Sequence, residues 1–178
     1  MFHHMKWRLV FLAAGIATFL FVYFSGASFH MSSQEARDVL QQIGTKNRQL
    51  DQLSIFLNNV KPALGMFIPA FGVGLGIYSA FSTGMVFNAA AVIYPALKGV
   101  SPLTAFLTPF AVMEVFSYGL AMSRSGMLVY QLIKKRSSWR QYAVHTAIEI
   151  AIVVVILLIG SVVEWQNIQH QHQQQSNR

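Results

Sequence analysis

FLNNVKPALGMFIPAFGVGLGIYS (56–79), FSTGMVFNAAAVIYPALKGV (81–100) and SPLTAFLTPFAVMEVFSYGLAM (101–122) make up a nearly continuous apolar stretch from Phe56 to Met122. Its only charged residues are Lys61, Lys98 and Glu114, while Gly, Pro and Asn interrupt it at short intervals. A water-soluble core of this length would carry long polar faces, and here there are almost none. The stretch reads as three or four membrane-embedded helical pieces packed closely through small residues. The fold class that follows is all-α, a polytopic helical membrane protein of about five spans.

Composition points the same way. Of 178 residues, 54% are hydrophobic and 11% charged, too few charges to coat a soluble domain. The formal net charge is +7, which in a membrane protein is the bias of basic residues toward the inner flanks rather than a nucleic-acid footprint. There is no cysteine, so disulfides, thiolate metal sites and a Cys nucleophile are excluded.

Upstream, MFHHMKWR (1–8) is short and basic, and LVFLAAGIATFLFVYF (9–24) is unbroken and apolar. With its flanks this gives a first span over 9–27, close to the roughly 20 residues a bilayer needs. A signal peptide is the rival reading. The length of the run, and a following segment that makes sense as a connector, favour a retained anchor. Residues 32–60 are the one long polar region. Ser32 and Glu35 fit a capping box. Val39, Ile43, Leu50, Leu53, Leu57 and Val60 then make one helical stripe, an amphipathic extracytoplasmic connector with a break near Gly44.

Downstream, the expected spans are 62–82, where Gly72, Gly74 and Gly76 allow close packing, and 84–98, which contains Asn88. A fourth, over 101–133, is broken at Pro109. The last runs over 141–165 and is followed by a polar Gln/His tail, 166–178, read as disordered. The GVGLG run lacks the preceding strand and lysine of a phosphate loop. The dense cluster Lys134, Lys135, Arg136 and Arg140 beside a span places the N-terminus in the cytoplasm and the C-terminus outside, in a multi-pass cell-membrane protein.

From Phe56 onward the order of features resembles the stage II sporulation protein M family. The matching pieces are F-x-N-N at Phe56, Asn58 and Asn59, then the glycine-rich span through Gly76, then Phe81, Gly84 and Asn88. They continue with Pro109-Phe110-Ala111-Val112-Met113-Glu114 and the closing ILLIGSVVEW with Glu164. The likeness covers Ile55 to Trp165. Phe110 stands where the family often has histidine, and Asn88-Ala89 replaces its usual Asn-Gly. The resemblance implies a helical fold of five or six spans. In spore-formers it implies a part in an engulfment machinery with cell-wall hydrolases. The family also occurs in organisms that never sporulate, so that role is not carried over.

A charge at mid-bilayer costs roughly 2.5–3.5 kcal/mol on insertion scales and so has a partner or a purpose. Glu114, with Asn88, is either a proton or cation site or a buried carboxyl holding helices in register near Pro109. His145 and Glu149 share one helix face and read as a hydrogen-bonded pair, too few ligands for a zinc site. Glu164 lies at the outer boundary within reach of Lys61 or Lys98. Arg124, between Ser123 and Ser125, either reads a lipid phosphate or, on the favoured reading, snorkels to the interface. His3, His4, His170 and His172 would bind metal only weakly. No cofactor, metal or catalytic set is expected. The functional expectation is a non-catalytic membrane scaffold or accessory subunit. Its partners are the lipid bilayer and other membrane subunits or a second copy, with no nucleic acid. The alternative is an ion- or proton-coupled transporter component using Glu114 and Asn88.

Overall fold

The computed structural model describes residues 2–46, 51–134 and 139–176, and they are helical with short turns between. The helices are α1 (Phe2–Ala27), α2 (Ser33–Lys46), α3 (Gln52–Gly65), α4 (Phe71–Ile93), α5 (Pro109–Ile133) and α6 (Trp139–Ser176). Two 3-10 turns, Pro95–Leu97 and Pro102–Leu107, lie between α4 and α5. Leu50 of the expected stripe, Lys135 and Arg136 of the basic cluster, and the side chains of His3, His4, Arg140 and His172 lie outside the described residues.

Among the described residues three segments are long and apolar enough to cross a membrane: Lys6–Ala27, Phe71–Ile93 and Tyr142–His170. They include the first and last expected spans. The two expected middle spans, 62–82 and 84–98, are corrected. Residues 71–93 form one helix, and the chain reverses earlier, at Met66–Ala70. Ser82, Thr83 and Gly84 do not break α4, and Thr83 turns its hydroxyl back onto the Ser79 carbonyl at 2.8 Å within the helix. Gly84 serves packing instead: a methyl added there would collide with the Tyr23 carbonyl of α1. The reversal is tight. Phe71 N donates to Pro69 O at 2.8 Å around Ala70, whose φ is 64°. The Ile68 carbonyl steadies it by accepting from Gly72 N at 2.8 Å and from the Ser125 hydroxyl at 2.7 Å.

α5 is the central post. Its residues Ser117 to Ser125 are buried without interruption, and it touches α1, α3, α4 and α6. That explains its mixed composition. The polar side chains that lower its hydropathy face neighbouring helices rather than lipid. Pro109 sits in its first turn after Thr108, and the 3-10 turn precedes it, so the expected break in 101–133 is present. Close approaches fix the directions. Gly15 of α1 meets Gly119 of α5, and Phe11 lies near Gly126, so these helices run antiparallel. Gly126 also lies near Val73, and Gly26 packs on Phe81, so α4 runs parallel to α1. Glu149 of α6 meets Arg124, and Gly160 lies near Met113, so α6 is antiparallel to α5.

The expected connector 32–60 divides. Ser32 and Glu35 do form the capping box: the Ser32 hydroxyl donates to Glu35 at 2.7 Å and its amide at 2.8 Å. α2 runs through Gly44 to Lys46, so the expected break at Gly44 is absent. Met31 and Ala36 pack it onto α4 through Ala89. α3 is capped by Asp51, which accepts from Ser54 N at 2.7 Å. It packs into the bundle along one face. Ile55, Val60 and Ala63 are buried, and the helix packs mainly on α6. The tail is also corrected. α6 continues helically to Ser176, since glutamine is a good helix former and prolongs a helix already nucleated by its apolar part.

Candidate functional site

Two polar clusters lie within the bundle, near opposite ends of α5. The first joins three helices. Arg8 near the start of α1 donates Nε to Glu149 Oε1 and Nη2 to Glu149 Oε2, both at 2.7 Å. Arg124 of α5 donates Nε to Oε2 at 2.8 Å and Nη2 to Oε1. Arg8 also reaches the Ser123 hydroxyl at 2.7 Å and the Leu120 carbonyl at 3.3 Å. Two guanidinium forks thus grip one carboxylate, the geometry in which such pairs are strongest. Arg124 is only 4% exposed, so it does not snorkel to the interface. Its insertion cost is offset by Glu149 at short range. Arginine does not lose its proton, so both guanidiniums stay charged and the cluster ties three helices together.

The second cluster surrounds Glu114. Asn59 of α3 donates its amide to Glu114 Oε1. The Tyr118 hydroxyl lies 3.4 Å from the Asn59 carbonyl and 3.5 Å from its Oδ1, a looser contact. Glu164 of α6 is near enough to act on Glu114 electrostatically. No ion pair joins Glu164 to Lys61 or Lys98 among the described residues. Glu114 also lines a partly open cavity of about 260 Å³ between α1, α4, α5 and the 3-10 turn Pro102–Leu107. Tyr23, another lining residue, is tied to that turn by its hydroxyl, which donates to Pro102 O at 3.2 Å.

The remaining sequence candidates scatter. Asn88 does not join Glu114. It donates to the Phe29 carbonyl and ties α4 to the turn after α1, because the 3.6-residue period carries it off the face that holds Val86 and Phe87 against the cavity. Asn58 is exposed on α3, one position round from the inward Asn59. Pro109 starts α5 and places Glu114 in its second turn. His145 is exposed on α6, and both Glu149 oxygens accept from arginines. Among the described residues no group of three or more His, Asp or Glu could hold a metal ion. Arg8 is the residue that sequence reasoning missed, since it was counted as part of a basic flank. The available signal was three charges, Arg8, Arg124 and Glu149, each set within an apolar helix and needing neutralisation.

Buried, internally neutralised charges in an all-helical bundle with apolar outer faces define an integral membrane protein. The chain belongs to the stage II sporulation protein M family, whose model matches residues 8–164. The match begins at Arg8 itself and takes in α1 and α2, which the sequence likeness from Ile55 had left out. No curated protein and no solved structure matches the chain.

Proposed function

We propose that this protein is a non-catalytic membrane scaffold or accessory subunit that crosses the cell membrane five times, with its N-terminus cytoplasmic and its C-terminus outside. The observation that carries the reading is the Arg8–Glu149–Arg124 grip. The most costly groups in the bundle are consumed in holding α1, α5 and α6 together. Partner binding then falls to outward surfaces: the polar face of α2 and the apolar side of α3, where Leu53 is 60% exposed. The bound partners are lipid and other membrane subunits or a second copy, and nucleic acid is not among them.

The test is recovery of the intact protein in gentle detergent with mass spectrometry of co-purifying chains. The scaffold reading expects stoichiometric membrane subunits that are lost with Leu53→Lys and kept with Glu114→Gln. Recovery of this chain alone sinks it. The cavity beside Glu114 favours a second reading, an ion- or proton-coupled component, since discontinuous helices such as the one interrupted at Thr108 build ion sites. That reading expects the opposite pattern from the two variants, and flux into liposomes that Glu114→Gln abolishes.

A further inference from the structure

The cavity has an unusual combination of walls. Five aromatic rings line it, those of Phe19, Tyr23, Phe87, Phe106 and Tyr118, together with the Glu114 carboxyl. The rings are held by one another. Tyr23 and Phe106 meet edge-on with centroids 4.7 Å apart, and Phe19 and Tyr118 tilt together at 5.6 Å. No lysine, arginine or histidine is among the lining residues. Glu114 Oε1 accepts from the Asn59 amide. The Glu164 carboxyl adds to the same local potential. In the other buried cluster a carboxylate meets two cations, whereas here a carboxyl meets one neutral amide and an aromatic cavity.

We infer that the cavity is a binding site for a lipophilic ammonium, with the cation set against Glu114 and its apolar body among the rings. Ring faces attract cations by their quadrupole, most strongly where water is excluded, and the carboxylate supplies a charge-assisted hydrogen bond. A divalent metal fits poorly. Calcium takes six to eight oxygens, and the lining offers one carboxyl with a few hydroxyls. The volume of about 260 Å³ suits a small amine, and the partly open wall at exposed Thr83 gives it a way in. The ammonium is supplied either by a free amine dissolved in the bilayer or by an amine lipid headgroup. The site stands apart from the scaffold reading, because partner recovery does not enter its argument.

The test is a calorimetric titration of the purified full chain in detergent with benzylammonium, using benzyl alcohol as the neutral counterpart of the same shape. Saturable binding is expected for benzylammonium, weakened about tenfold for the alcohol and by Glu114→Gln. Helical circular dichroism and a thermal transition check that this variant folds. Thr83→Trp blocks the opening from an exposed position and leaves Asn59 on Glu114, so it decides the matter even where Glu114→Gln fails to fold. It is expected to lose binding. Absence of saturable binding by the unaltered protein, equal binding of amine and alcohol, full binding by a folded Glu114→Gln, or full binding by Thr83→Trp would each overturn the site. Repeating the titration in nanodiscs separates the two sources. Competition from phosphatidylethanolamine, absent with phosphatidylglycerol alone, identifies a lipid headgroup, and equal affinity in both identifies a free amine.

Discussion

Arg8 and Glu149 stand 141 positions apart in the chain and meet through two parallel hydrogen bonds of 2.7 Å. This fork fastens the first helix to the last. Arg124 completes it from the central helix, so that one carboxylate serves two cations.

Charge balance ranks the substitutions in this cluster. Glu149→Gln leaves two buried guanidiniums without an anion, and is expected to destabilise the bundle by about 3–5 kcal/mol. Arg8→Met or Arg124→Met leaves a neutral pair and should cost less. Arg8→Met should be the milder, because its side chain is 17% exposed against 5% for Arg124. Detergent-titrated unfolding of the four proteins measures the order. A Glu149→Gln protein as stable as either arginine variant contradicts it.

Gly84 and Gly26 set the distance between α1 and α4. A Cβ at Gly84 meets Tyr23 O and the Ala27 amide, and backbone cannot step aside as a side-chain tip can. Gly84→Leu should therefore cost at least about 1–3 kcal/mol through overpacking and displace α1. Gly74→Leu is the control, since a Cβ there meets nothing within 4 Å. Thermal denaturation in detergent compares the two.

Asn59 is the hydrogen-bond donor to Glu114 and the looser neighbour of Tyr118. Asn59→Leu keeps the volume and removes the amide. The expected loss is about 1–3 kcal/mol, the desolvation penalty of an acceptor left unpaired. Replacing Glu114 by Leu in the same chain should recover part of it, because the unpaired acceptor is then gone. A double-mutant cycle reads the coupling.

Glu35 connects pH to the start of α2. The Ser32 hydroxyl, and then the Ser32 amide, hydrogen-bond its carboxylate and hold its pKa below the ordinary range. A folded pKa lower than the unfolded one means that the cap contributes fully above about pH 4.3. It is lost as pH falls through the lower folded value. Amide shifts of Ser32 and Ala36 followed by NMR should therefore titrate together at acid pH. Glu35→Gln should abolish that titration, and a transition above pH 5 would contradict the assignment.

Much of the architecture is legible in the residues alone. The run at 9–24 with its flanks, and the longer apolar segment centred on 151–160, mark membrane helices, whose backbone is satisfied within the segment as lipid demands. Pro102 and Pro109 mark the broken entry to α5 for a local reason, the missing amide. The capping box at Ser32 is likewise local. Between 62 and 98 local reasoning misled. Glycines at 72, 74, 76 and 84 look like breaks or like one packing face, yet Gly84 lies at a helix crossing while Gly74 is open.

The division follows from the range of the forces. Hydropathy, proline geometry and capping act within a few residues, so composition and spacing carry the membrane class and most helix ends. Which charges meet depends on helix directions and on rotation about each axis, and these are set by close contacts between segments far apart in sequence. Tertiary structure alone brought Arg8 and Arg124 onto Glu149. It alone separated Asn88 from Glu114, put Asn59 in its place, and walled the carboxyl with rings from four separate segments of the chain.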